Sequence, residues 1–173
     1  LNHSYPELYK NYRDNIKRNI KKAATYGCYI KKDIAVDSVI ELASQQPQQG
    51  ATKEDYQKFS ILYNHLKSVN QALTYGVYSS QQQLLASCVF FLSHNRAYYI
   101  LAGNHPNGRT LGASHAVIDA FIKDHAGKNM LLDFEGSDIR NLAFFYSSFG
   151  AAEERYAALH VNKLPWYVKW LKK

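Results

Sequence analysis

Cysteine is scarce in this 173-residue chain, and the two present, Cys28 and Cys88, both sit inside apolar runs. Neither has CxxC spacing or a neighbouring histidine, which argues against a zinc site. Both are expected as buried free thiols of a protein kept in a reducing, cytoplasmic compartment. No stretch of about 18 apolar residues occurs, so no segment is expected to span a membrane. The seven histidines are scattered without metal-ligand spacing, and no strand–turn nucleophile elbow is present. A metal centre and a Ser-His-Asp triad are therefore not expected. Internal repeats are absent, and the glutamine tracts near 45–49 and 81–83 are too short for low-complexity sequence.

What remains is ordinary for a globular domain: 46% hydrophobic and 20% charged residues, at a length that holds one real core. Aromatics reach 14%, mostly as 14 tyrosines, a composition suited to a half-polar core or a groove for a polar ligand. The net charge of +7 is local. Residues 10–32 carry Lys10, Arg13, Lys17, Arg18, Lys21, Lys22, Lys31 and Lys32 against Asp14 alone, and Lys163, Lys169, Lys172 and Lys173 end the chain. Such a patch can attract a polyanion, but the aromatic interleaving of a nucleic-acid groove is missing, since Tyr9 and Tyr12 fall on the apolar stripe. The chain begins at Leu1 rather than Met, which suggests a piece of a longer protein.

Leu8, Tyr12, Ile16, Ile20 and Ala23 recur at helical spacing, so one amphipathic helix is expected from Tyr5 to about Tyr26, capped by Gly27. A strand from Cys28 to Ile34 follows. Two helices come next, the first capped by Asp37 and the second by Thr52 with Asp55. The second is expected to bury Tyr56, Phe59, Leu62, Leu66 and Val69. Ala72–Tyr78, Gln83–Leu92 and Ala97–Ala102 read as strands whose short joints force antiparallel pairing. A loop is expected at 103–108, and a helix from Ala113 to about His125. A strand Met130–Phe134, a helix Asp138–Phe149 with Ile139, Leu142, Ala143 and Phe145 or Tyr146 inward, and a last strand Arg155–Val161 complete the pattern. The prediction is a mixed α/β sheet with helices on both faces.

This element order resembles the GNAT acyltransferase fold with one extra N-terminal helix. Three segments are similar to those of FemAB-like transferases, specifically the second lobe. They are the basic helix Arg13–Ala23, the segment Leu132-Asp133-Phe134-Glu135-Gly136-Ser137, and Phe145–Ala151 followed by Asn162-x-Leu164-Pro165. The resemblance implies residues 1–27 as a basic helix packed on the core and 28–173 as a single GNAT-like domain. It implies an acyl or aminoacyl transferase acting on an amine by direct attack, with acyl-CoA (acetyl-CoA) as cosubstrate or aminoacyl-tRNA as donor. The acceptor would be a small-molecule or peptidoglycan-precursor amine, and tRNA could meet the basic helix. FemAB-like proteins carry two such lobes, and one fits here. The alternatives are a non-catalytic lobe that binds a cell-wall precursor or partner domain, and an RNA-binding module.

The resemblance also nominates site residues. Arg109-Thr110-Leu111-Gly112-Ala113-Ser114 is similar to the Arg-x-x-Gly-x-Gly/Ala phosphate loop, departing at Ser114, and with Gly108 it is the expected cofactor-binding segment. Glycines there would let backbone N–H groups approach a diphosphate at a helix N-terminus; the alternative is an ordinary helix cap. Tyr146 is the candidate acid for the leaving group, or else one more core aromatic. Asp133 and Glu135 alternate onto one strand face, and Glu135 is the candidate base for the amine. Equally, Asp133 can pair with Arg140, and Glu135 can anchor a turn.

Overall fold

The computed structural model describes residues 1–45, 51–135, 139–154 and 157. Its N-terminus holds two helices where the periodicity suggests one: α1 (Tyr5–Lys10) and α2 (Asp14–Thr25). The break has a tertiary cause. The Arg13 N–H donates to the Ser148 carbonyl at 2.9 Å instead of a helical partner, and Tyr12 is buried in the core between the helices. α1 docks through its Tyr5 hydroxyl, which donates to the buried Asp119 carboxylate at 2.9 Å. α2 buries Ile16 and Ala23 and ends in a Schellman turn. There Gly27 takes φ +70°, the Cys28 N–H reaches Ala23 O and the Gly27 N–H reaches Ala24 O.

Among the described residues, five strands form one mixed sheet in sequence order: β1 (Tyr29–Lys32), β2 (Ala72–Tyr78), β3 (Leu84–Ser93), β4 (Arg96–Asn104) and β5 (Leu131–Asp133). The first three pairings are antiparallel, as the short joints require, and β4 with β5 is parallel. The parallel step needs a crossover, supplied by α5 (Pro106–Leu111) and α6 (Ala113–His125). α7 (Arg140–Ser147) follows β5. The expected strand Arg155–Val161 lies outside the described residues apart from Ala157, as do Gly136, Ser137, Asp138, the Asn162–Pro165 element and the C-terminal lysines.

Each sheet face is covered. On one, α2, α6 and α7 pack over Tyr75, Val77, Cys88, Phe90 and Tyr99, with the Phe90 and Phe121 rings stacked. On the other, α3 (Val36–Ser44) and α4 (Lys53–Ser68) cover Ala72, Val89 and Leu101 with Val39 and Tyr63. Thr74, fully buried, donates its hydroxyl to Ile34 O at 2.7 Å, so the one polar side chain of β2's inner row is satisfied. Both cysteines are free thiols; Cys88 is fully buried, whereas Cys28, just past the end of α2, is only half-covered.

Three further local expectations are corrected. Asp37 does not cap α3; Ala35 is the N-cap, and Asp37 sits in the first turn. α4 buries Tyr63 with Tyr56, Phe59 and Leu66 half-covered, whereas Leu62 and Val69 are exposed, because the face that meets the sheet is turned toward Tyr63. At α7, Ile139, Leu142 and Ala143 are exposed, contrary to expectation, while Phe145 and Tyr146 both face the core, where one of them was expected. The Thr52 cap forms as expected: its hydroxyl accepts the Asp55 N–H, and the Asp55 carboxylate accepts the Thr52 N–H at 2.8 Å. Thr52→Ala is expected to lower stability by about 1 kcal/mol in urea unfolding, the usual worth of such a cap.

Candidate functional site

The register of β4 contains an irregularity. Phe90 pairs with Tyr99 and Val89 with Leu101, leaving Ile100 without a partner on β3. This is a β-bulge, which turns the following side chains over: Tyr99 joins the α6 face and Leu101 the α3 face. On the other side, β5 pairs with β4 only as far as Tyr98 opposite Asp133. The two strands therefore part at the bulge.

Aromatic rings gather where they part. Phe134, the residue after β5, stacks on Tyr146 of α7 with centroids 4.5 Å apart, and Tyr99 meets both edge-on. Burial raises the Tyr146 phenol to about 12, so it holds its proton throughout the neutral range. Asp133 does not pair with Arg140. Its Oδ2 lies 2.6 Å from the Arg96 guanidinium, and its Oδ1 accepts the Glu135 N–H at 2.8 Å. Glu135 is exposed beyond the strand end, at φ +62°. The alternation that would set it beside Asp133 stops before it, so the two carboxylates do not act as a strand-face pair.

The segment expected as a phosphate loop is helical. Pro106 occupies the first turn of α5, and the His105 ring accepts the Asn107 N–H at 3.1 Å as its cap. Gly108 and Arg109 therefore lie within α5, and the chain passes into α6 through Gly112 at φ +79°. A Cβ at Gly108 would run into the Leu85 backbone of β3, and one at Gly112 into the Asn19 carbonyl of α2. Gly112 and Ala113 are buried, and Ser114 donates its hydroxyl to Asn104 at 2.5 Å. These glycines are explained by close packing of backbone on backbone.

One group had no signal in the sequence. His115, in the first turn of α6, lies 3.4 Å through Nε2 from the Asn19 amide and meets Phe145 edge-on at 5.1 Å. Its Nδ1 is buried without a hydrogen-bond partner. Desolvation lowers its pKa to about 4. Because the folded value lies below the unfolded 6.5, its contribution to stability is fully present above pH 6.5 and is lost as pH falls toward 4. His125 is lowered too, chiefly by burial. His115→Gln is expected to flatten the decline in urea-unfolding stability between pH 6.5 and 4, leaving the share of His125. An unchanged slope would count against this assignment.

Among the described residues the fold is a five-stranded mixed sheet with helices on both faces and two neighbouring strands that part at a bulge. A model of the acetyltransferase (GNAT) domain matches residues 10–138, and the chain belongs to that family. It is similar in structure to FemX, with TM-score 0.64 and 10% identity over 86% of this chain and 56% of that one. The chain thus spans little more than half of FemX. It is also similar to the aminoglycoside 6'-N-acetyltransferase AAC(6')-Ih of Acinetobacter baumannii, with TM-score 0.57 and 14% identity over 78% of this chain and 98% of that one. A predicted acetyltransferase with acetyl-CoA from Clostridium acetobutylicum has TM-score 0.54 and 12% identity over 78% and 96%. No curated protein matches the sequence. At these identities the structural likeness shows the fold.

GNAT acetyltransferases use acetyl-CoA, whose diphosphate needs open backbone donors. Neither Gly108 nor Gly112 opens a cradle for it. Protein backbone, from Leu85 and Asn19, already fills the space against both glycines. Among the described residues, no helix is long and apolar enough to cross a membrane.

Proposed function

We propose that the chain, N-terminal helices included, is an N-acyltransferase lobe that moves an acyl or aminoacyl group from a thioester or ester onto an amine. The observation that carries this reading is the bulge at Ile100, beside the end of β5 and the Tyr146 phenol. A bulge frees backbone groups from the ladder, and a fixed N–H donor is what the carbonyl oxygen needs as negative charge builds on it. In the proposed reaction the amine attacks the carbonyl directly. The C–N bond forms, the C–S or C–O bond breaks, and Tyr146 gives its proton to the departing thiolate or alkoxide. Glu135, exposed and next to Phe134, takes the proton that the amine loses.

The FemAB-like resemblance suggests a peptidoglycan-precursor amine as acceptor. The donor's carrier does not rest on residues 108–114. An aminoacyl-tRNA donor would instead meet Arg18, Lys21 and Lys22, which are exposed on α2. A second reading, a binding lobe without catalysis, is favoured by the rings of Tyr99, Phe134 and Tyr146 that crowd the parted strands.

Thermal shift and single-turnover transfer with acetyl-pantetheine, acetyl-CoA and aminoacyl-tRNA separate the two. The transferase reading expects transfer from at least one donor, with acetyl-CoA stabilising no more than acetyl-pantetheine. Absence of transfer from every donor would favour the binding lobe.

A further inference from the structure

The β2–β3 hairpin and α5 border an open concave site whose lining shares no residue with the parted strands. It is lined by Ser79, Gln81, Gln83, Leu85, Asn107, Thr110 and Leu111, with a volume of about 270 Å³, near the lower end for small-ligand sites. Both walls are fixed. The register of β2 on β3 skips Leu85, so a bulge bends the hairpin at that residue. Leu85 O then accepts the His105 N–H at 2.9 Å, and Gly108 lets α5 close onto the Leu85 backbone. The Gln83 carboxamide lies against the same ring, its nitrogen 3.2 Å from His105 Nε2.

The chemistry of the lining is uniform. It offers three carboxamides and two hydroxyls over two leucines, and no charged side chain. Several backbone groups of the hairpin are already engaged: the Ser79 N–H reaches Gln83 O and the Gln82 N–H reaches Ser79 O. The Ser79 hydroxyl accepts the Gln81 and Gln83 N–H groups. What is left for a ligand is amide and hydroxyl groups that both donate and accept, as a ligand hydroxyl does. An extended peptide would want free backbone partners or a strand edge, and an ionic ligand would want a counter-charge. Neither is offered.

We infer that this cleft binds an uncharged, hydroxyl-rich ring, a saccharide, with Asn107, Thr110, Gln81 and Gln83 as its hydrogen-bonding partners and Leu85 and Leu111 beneath the apolar ring face. The inference rests on this cleft alone and is independent of the catalytic reading.

The test is saturation-transfer NMR on the full chain, with glucose, N-acetylglucosamine and a soluble oligomer of the latter as probes and acetyl-lysine amide as the peptide-like control. Saturation from at least one sugar is expected, weakened about tenfold in Asn107→Leu and in Thr110→Val, with both variants folded by circular dichroism. Thr110→Ser, which keeps the hydroxyl, should retain binding. A stronger response from the oligomer than from the monosaccharides identifies a polymeric glycan, and equal responses a free sugar. No transfer from any sugar, a preference for the amide control, or undiminished binding in both folded variants overturns the proposal.

Discussion

Gly112→Ala is expected to lower the melting temperature by about 10 °C and to leave any surviving donor affinity unchanged. Two penalties add at this position. A side chain at φ +79° sits in the left-handed region, worth about 1–2 kcal/mol against it, and its Cβ would overlap the Asn19 carbonyl of α2. Overpacking of that kind costs about 1–3 kcal/mol, and the obstacle is helix backbone that cannot rotate aside. A total of about 3 kcal/mol corresponds to about 10 °C in a chain of this size. If Gly112 instead existed to admit a diphosphate, alanine would weaken donor binding with a smaller thermal effect. Differential scanning calorimetry together with donor titration of the same variant distinguishes the two. Gly108→Ala should behave alike, since its Cβ would meet the backbone of Leu85 in β3.

Tyr146→Phe is expected to reduce acyl transfer by about 100-fold or more, within the range for a lost general acid, while the melting temperature changes little. The ring stacked on Phe134 remains, and only the hydroxyl is removed. The wild-type rate should also persist into strongly alkaline solution. An ordinary phenol loses its proton near pH 10, whereas burial holds Tyr146 up at about 12. A rate that falls between pH 9 and 10, or a Tyr146→Phe variant of full activity, would remove the phenol from the reaction.

The meander and α6 were legible because local pattern governs them. Ala72–Tyr78 and Ala113–His125 have the expected limits, set by β-rich runs with short polar joints and by a helical stripe following a glycine. What escaped depends on distant partners. The break between α1 and α2 exists because Arg13 bonds Ser148, 135 positions away. The orientation of α7 follows from which of its rings can reach Phe134 and His115. Glycines 108 and 112 fit a phosphate-loop pattern, yet each answers to a backbone, Leu85 or Asn19, that no spacing rule connects to them. The bulge at Ile100 left no mark at all, since Ala97 to Ala102 reads as an unbroken strand and only the pairing with β3 exposes the extra residue. The helix α5 was missed for a different reason. Pro106 and Gly108 suggest a turn, and the cap that converts them into a helix start is a histidine ring, an unusual acceptor for that position.

Backbone amide shifts under titration with acetyl-CoA, on ¹⁵N-labelled protein, probe the parted strands most directly. The account predicts saturable shifts at Ile100 and Leu101, with Phe134 and Glu135 following, while Gly112, Ala113 and Ser114 stay where they are. Shifts confined to Gly112–Ser114 with Ile100 silent would contradict it, and would return the donor to the turn that α2 covers.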